Sequence, residues 1–519
     1  MRRLLTGTGL VAFTISVCAV AAAQTHLTID ASKTGPTINR NLFGQMAENL
    51  GRGVHEGMWV GPESKIPNTR GIRNDVVEAL RALKVPNVRW PGGCYADEYH
   101  WRDGVGKRVA NVNSVWGGVL EPNDFGTDEY MDFLHQIGSD AYLATNIGTG
   151  TPKEAADWLE YMTAAQPTTL AKERAANGHA EPYKVALMGI GNESWACGGG
   201  MTVDYYLSQL KIYSHFVRNL NPAQQDKQQM LKIAVGPGFP TTEWTEKVMD
   251  AWKHHDWVWD INGLSVHWYT MAGWPPSSPS MNFSLDDYAK SLKSTLFMDE
   301  FLHKQETVMD KYDPEKKVAL VVDEWGAWHA PLAGTNTQFL EQQNSLRDAI
   351  LAALNVNIFA RHADRVRAAN IAQMVNVLQA MVLTDKEKMA LTPTYYVFKM
   401  YVPFQDATFV PVSFDAGTYT HGAVTLPRID AIAAKDKNGK LWIAITNLDA
   451  EQAVEIQANL SGMAAKSAHG ETLTAPAVDS INTFDKPNTV VPKPIVAQVK
   501  NGALSLKVEP KSVTVLAVE

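Results

Sequence analysis

Two glutamates stand where an apolar strand should end. "KVALMGIGNE" closes on Asn192 and Glu193, and "KVALVVDEW" carries Asp323 and Glu324 close to its end. A carboxylate is costly to bury without a partner, so each placement needs a reason. Cleaving a glycosidic bond supplies one. It takes an acid to protonate the departing oxygen and a second carboxylate to stabilise or attack the anomeric carbon. Carboxyls about 5–5.5 Å apart give retention through a covalent sugar ester, whereas about 6.5–9.5 Å leaves room for a water and gives inversion. Mutual repulsion and partial burial would raise one carboxyl and leave the other ionised near neutral pH. Asn192 could hydrogen-bond a sugar hydroxyl beside the reacting carbon. Which glutamate attacks cannot be read from this pattern.

Other strand ends carry polar groups too. Glu48 ends "NLFGQMAEN", Cys94 follows "VPNVRWPGG", and Asn146 lies in "AYLATNIG". His267 and Tyr269 close "INGLSVHWY", and Gln373 sits in "NIAQMVNVL". Singly each has a bland explanation: a strand-end Glu is usually a surface residue, and His267 alone a satisfied core histidine. Together they form a ring that no apolar core would require.

The elements that must position this ring alternate. With "KIAVGPG" there are eight strand-like runs between Asn41 and Tyr401, separated by amphipathic helices. Val76, Leu80 and Leu83 mark one helical face. Thr151, Pro152 and Glu154 read as N-cap, first helical residue and capping-box partner. Near-continuous apolar strands imply a parallel sheet covered by helices. Eight such units predict a (β/α)8 TIM barrel over 41–404, whose active site lies at the C-terminal strand ends. No Gly-x-Gly-x-x-Gly follows the first strand, which lowers the dinucleotide-binding alternative.

From 405 to 519 the pattern becomes short alternating strands, with a hairpin signal at Asn438-Gly439. A C-terminal β-sandwich of jelly-roll type is expected, joined by a strand from 24–40. Residues 1–23 place Arg2 and Arg3 before an apolar run from Leu10 that ends in Ala21-Ala22-Ala23. This reads as a signal peptide, hence export to the periplasm or beyond. The run is shorter than the about 20 apolar residues of a membrane span.

A net charge of −8 offers no basic footprint for nucleic acid or an anionic membrane. Fourteen of the fifteen Trp lie between Trp59 and Trp328. For any single Trp the core is the better reading. For the set flanking the strand ends (Trp90, Trp101, Trp195, Trp268, Trp325 and Trp328) a carbohydrate cleft is. His254-His255-Asp256 looks metal-like, but neighbouring residues on a helix do not face one way, so it reads as a solvated patch, and His267-x-Tyr269 lacks further His or Cys ligands at metal spacing. Whether Cys94 and Cys197 pair is left open.

Long ordered blocks resemble the α-L-arabinofuranosidases of glycoside hydrolase family 51. They are "FGQMAENLGRGVHEGMWVG", "SKIPNTRGIRNDVVEALRALKVPNVRWPGGCYADEYHWRDGVG", "GIGNESWACGGGM", "GLSVHWYT", "VVDEWGAWH" and "NIAQMVNVLQAM". The resemblance implies a retaining, exo-acting enzyme on plant cell-wall polysaccharides and oligosaccharides, without cofactor or metal and often a homo-oligomer. It implies Glu193 as acid/base and Glu324 as nucleophile, with Glu48, Asn192, His267, Tyr269 and Gln373 lining the sugar pocket. Cys94 joins that pocket, although many members carry Asn there. Asn49 and His55 depart from the usual His and Tyr, changes that bear on substrate preference more than on chemistry. The alternatives are a retaining endo-β-1,4-glucanase or β-xylosidase and, from another class, a non-catalytic carbohydrate-binding protein. Two repelling acids give a mere binder little.

Overall fold

Eight short runs, buried almost throughout, form a closed parallel barrel in chain order. In the computed structural model, which describes residues 23–225 and 229–519, they are β1 Gly44–Met46, β2 Asn87–Trp90, β3 Asp140–Thr145 and β4 Val185–Ile190. β5 Leu231–Ala234, β6 Gly263–Thr270, β7 Ala319–Ala327 and β8 Val366–Ile371 complete it. β8 pairs with β1 through Asn370 and Gly44, which closes the ring. With no free edge, every strand is covered inside by barrel side chains and outside by helices, hence the apolar runs. All of the expected 1–23 signal segment except its last residue, Ala23, lies outside the described residues.

Local chemistry sets the helices. In helix Asn74–Ala82 the buried face holds Val76, Val77, Ala79 and Leu80. Thr151 caps helix Pro152–Thr163 by accepting from Glu154 N, with proline at its start. Glu154 does not close a capping box; its carboxylate instead holds His100 Nδ1 at 2.9 Å. A tertiary partner thus outcompetes a local one.

The eighth strand also departs from expectation. It begins at Val366 and ends at Ile371, short of Gln373. The apolar residues that follow belong to a turn in which Asn376 and Leu378 adopt positive φ and Gln373 N donates to Val377 O. Periodicity alone cannot tell an apolar buried turn from a strand.

The C-terminal strands form a ten-stranded series. Ala23–Asp30 enters it, parallel to Val454–Ser461 and antiparallel to Val412–Phe414. Leu27, Ile443, Ile456, Leu506 and Leu516 meet in one buried cluster, so the series folds into two layers with a shared core. Ile429–Lys435 and Leu441–Asn447 pair antiparallel across the expected hairpin, where Gly439 takes the positive φ (80°) such turns require. The other face of this sandwich packs on the barrel: Leu448, Val513 and Val515 belong to the same buried cluster as Phe359 and Phe398. Among the described residues no helix is long and apolar enough to cross a membrane.

Candidate active site

The C-terminal ends of β4, β6 and β7 converge on one cluster of acids. A carboxylate oxygen of Glu193, a ring nitrogen of His267 and a carboxylate oxygen of Glu324 all lie within 4.8 Å of one another. His267 Nδ1 stands 2.9 Å from Glu193 Oε1 and 3.5 Å from Glu324 Oε2. Its Nε2 faces Asp323 Oδ1 at 3.1 Å. Burial disfavours a charged imidazole, yet the surrounding Glu324, Asp323 and Glu193 raise it to about 10. His267 is therefore an imidazolium that donates to the acids on both sides.

Glu324 is held from two other strands, β6 and β2. Tyr269 donates its phenol to Oε1 at 2.7 Å, and Arg89 Nη1 donates to Oε2 at 3.1 Å. Burial raises this carboxyl above its ordinary value, opposed by His267, Arg89 and the Tyr269 phenol, while Glu193 adds to the upward push. Arg89, from β2, also pairs with Asp323 at 3.4 Å and donates through Nη2 to Asn192 Oδ1 at 2.6 Å. Buried beneath these groups, Arg89 stays a cation because Asp323 and Glu324 outweigh the cost of desolvation. Asn192 thus spends its oxygen on Arg89 and turns its Nδ2 toward Cys197 Sγ at 3.8 Å.

Opposite, β1 contributes Glu48. Its Oε1 accepts from Tyr95 N at 3.0 Å and Trp116 Nε1 at 2.8 Å, and its Oε2 from Gln373 Nε2 at 2.7 Å. Burial and then the charge of Glu324 push Glu48 up to about 7. Gly92 makes this approach feasible: a Cβ there would sit 2.2 Å from Glu48 Cγ. Cys94 and Cys197 are bonded as a disulfide that ties the loop after β2 to the loop after β4.

Of the expected strand-end polar residues, Glu48, Cys94, Asn192, Glu193, His267, Tyr269, Glu324 and Gln373 reach this cluster. Asn146 does not. Its side chain turns back to Tyr99 O and Thr149 and shapes its own loop. The tryptophan cluster divides as well. Trp90, Trp101 and Trp325 are buried core residues, and Trp268 packs on Phe297 and Phe301. Trp328 lies edge-on to Tyr269 at 5.1 Å, with the exposed Trp274 beyond it at 6.4 Å. Large residues near a barrel rim also fill the space between strands and helices, which the sequence cannot separate from a cleft.

Arg89 and Trp116 escaped the reading of the sequence. An arginine inside the apolar "NVRW" is the signal that could have found the first, since a buried cation must have acids to meet. Trp116, in the loop after β2, leaves no such mark.

Against known proteins, the profile described as "Alpha-L-arabinofuranosidase C-terminal domain" matches residues 323–512. That described as "Alpha-L-arabinofuranosidase 1 domain" matches residues 79–263. A Bacteroides ovatus protein named "Intracellular exo-alpha-L-arabinofuranosidase" is 42% identical over 100% of this chain and 99% of its own. The crystal structure of the GH51 arabinofuranosidase from Xanthomonas axonopodis pv. citri is 49% identical, with a TM-score of 0.92 over 96% of this chain and 100% of that one. The chain belongs to glycoside hydrolase family 51. It is an α-L-arabinofuranosidase by that membership, and its barrel and sandwich are those of the family. A Thermotoga maritima α-L-arabinofuranosidase, solved as an arabinose complex, is 30% identical with a TM-score of 0.83, over 96% of this chain and 100% of that one.

One expectation is overturned. Export to the periplasm or outside the cell conflicts with the Bacteroides ovatus relative, which matches the whole chain and is named intracellular. Arginines before a short apolar run describe local composition only. The barrel and its acids are the same chemistry on either side of a membrane, so nothing in the fold favours export.

Proposed function

We propose that this arabinofuranosidase is exo-acting and retaining, releasing terminal α-L-arabinofuranosyl residues from plant polysaccharides such as arabinan and arabinoxylan, and from their oligosaccharides. The observation that carries this is the approach of Glu193 and Glu324 to within 4.8 Å. Oxygens that close suit the about 5–5.5 Å of retaining pairs better than the about 6.5–9.5 Å at which inversion seats a water.

Glu324 is the nucleophile. Arg89 and Tyr269 orient its two oxygens from opposite sides, so that one lone pair faces the anomeric carbon. Attack there breaks the bond to the leaving oxygen, which takes its proton from Glu193, and the arabinosyl group is left as an ester on Glu324. Glu193 then draws a proton from water, which attacks the same carbon and frees the enzyme. His267 steadies both carboxyls and moves no proton of its own. Glu48, with Gln373 and Trp116 fixing its orientation, meets the sugar hydroxyls, as do Asn192 and the rim at Cys94. The same reading divides the chain into a barrel at 41–404 and a sandwich at 405–519 joined by 24–40. It also makes the protein a homo-oligomer.

Glu193→Ala is the test. Turnover of arabinofuranosides with poor leaving groups should collapse, while an activated aryl arabinofuranoside keeps its rate of ester formation. Equal loss on both would remove Glu193 from the proton-donor role. Proton NMR should find the α-anomer as the first-formed arabinose; the β-anomer first would overturn retention.

A further inference from the structure

The disulfide at the pocket rim has a second neighbour besides its own two loops. Cys197 Sγ lies 3.7 Å from Glu193 Oε2, and one ligand atom from each of Cys94, Cys197 and Glu193 falls within 4.8 Å of the others. Cys197 is exposed, Cys94 and Glu193 half-buried. Solvent, a reductant and a small cation can therefore all reach them.

We propose that, once the disulfide is reduced, Cys94, Cys197 and Glu193 form a binding site for a soft divalent cation of the zinc class.

The geometry fits such an ion. With zinc–sulfur bonds of about 2.3 Å and zinc–oxygen bonds of about 2.1 Å, a tetrahedral site has a sulfur-to-oxygen edge of about 3.6 Å. The Cys197-to-Glu193 separation of 3.7 Å already has that length. The sulfurs must part to a sulfur–sulfur edge of about 3.8 Å, and the backbone allows it. Gly92 and Gly93 are packed on Glu48 and Glu324, so the movement falls to Cys197, which is exposed, is followed by Gly199 and Gly200, and has space around Gly200 open to at least 4 Å.

The supporting groups suit the ion too. His267 Nδ1 engages Glu193 Oε1 and leaves Oε2 turned toward the sulfur. This is the outer-shell arrangement that orients a metal-bound carboxylate. Asn192 Nδ2 points its N–H at Cys197 Sγ, which favours the thiolate that binds metal. Two thiolates and a borderline-soft ion make a matched pair. A water would fill the fourth position, as in an open site.

Both chemical steps balance. A trialkylphosphine breaks the sulfur–sulfur bond and is oxidised to its phosphine oxide. Water supplies the oxygen to phosphorus and one hydrogen to each sulfur. Binding of the divalent cation then releases the two thiol protons. Occupancy commits Glu193 to the metal, so turnover stops. That consequence rests on the proton-donor role proposed above; the binding does not.

The test uses the full chain, reduced with a phosphine, freed of it, and titrated with Cd2+ alone. A thiolate-to-cadmium charge-transfer band in the ultraviolet should grow to saturation at one Cd2+ per chain. It should be missing from the oxidised protein, which is a control that needs no substitution. Turnover should be lost in step with the band and regained with a chelator. Reduced Cys197→Ser should lose the band, whereas Glu193→Gln should keep it but saturate at higher Cd2+. No band in the reduced protein, or an equal one in the oxidised protein, overturns the site. So does inhibition of Cys197→Ser at the same Cd2+ as the wild type, which would put the metal on Glu193, His267 and Glu324. A saturating band with unchanged turnover upholds the site and overturns the proton-donor role of Glu193.

Discussion

Asp97 shows how much of the site depends on residues that never meet the sugar. Its Oδ1 accepts from Ile147 N and Gly148 N at 2.9 and 3.0 Å, so it fastens the loop after β3 to the short helix Cys94–Asp97. Burial pushes its carboxyl up to about 7. A folded-state value above the unfolded one means the native protein favours the protonated form. The contribution is complete below the unfolded value of 3.8 and is lost as pH rises through about 7. Glu48, pushed up to about 7 from 4.5, works in the same direction. Asp97→Asn keeps the accepting oxygen and removes the titration. Its melting temperature should exceed that of the wild type at about pH 8 and match it near pH 4. Thermal denaturation at the two values checks this; a difference independent of pH would remove Asp97 as the source.

At the scale of an element, the loop after β2 works because two glycines let it lie against the acids. Gly92 has φ +141°, a region closed to most side chains, and packs on Glu48. Gly93 stands close to Glu324, where a Cβ would be 3.0 Å from Oε2. Gly92→Ala adds backbone strain on the order of 1–3 kcal/mol and drives a methyl into Glu48. The carboxylate must leave its bonds from Tyr95, Trp116 and Gln373. Expected outcomes are an unchanged far-ultraviolet circular dichroism spectrum, a higher KM and a lower kcat on an aryl arabinofuranoside. Normal kinetics would mean that Glu48 is free to move and does not order the sugar.

For the whole molecule, barrel and sandwich should unfold together. Their shared buried cluster includes Phe359 of the barrel and Val513 of the sandwich. Asp430 of the sandwich accepts from Arg361 Nη1 at 2.9 Å and Asn357 Nδ2 at 2.8 Å, both on helix Leu346–Arg361. The same helix begins by donating Leu346 N to Ser480 O. Calorimetry should therefore show a single transition. Asp430→Ala, which strands two donors at the interface, should lower stability by about 2 kcal/mol while kcat holds. Two separate transitions in the wild type would show that the domains are independent.

Strand identity, helix faces and the two strand-end glutamates were legible because they follow local rules. Apolar runs alternate with 3.6-residue periodicity, and a glutamate ending an apolar strand is conspicuous wherever it occurs. The hairpin at Asn438-Gly439 was legible for the same reason. Export was a misreading of composition, and the eighth strand slipped because an apolar turn and an apolar strand look alike. What only the tertiary structure decided is which groups meet. Closing the ring brings Arg89 beneath Glu324, His267 between two acids, and Cys94 to Cys197, although these residues are far apart along the chain. Barrel closure depends on the summed twist and stagger of all eight strands, which no single stretch of sequence contains.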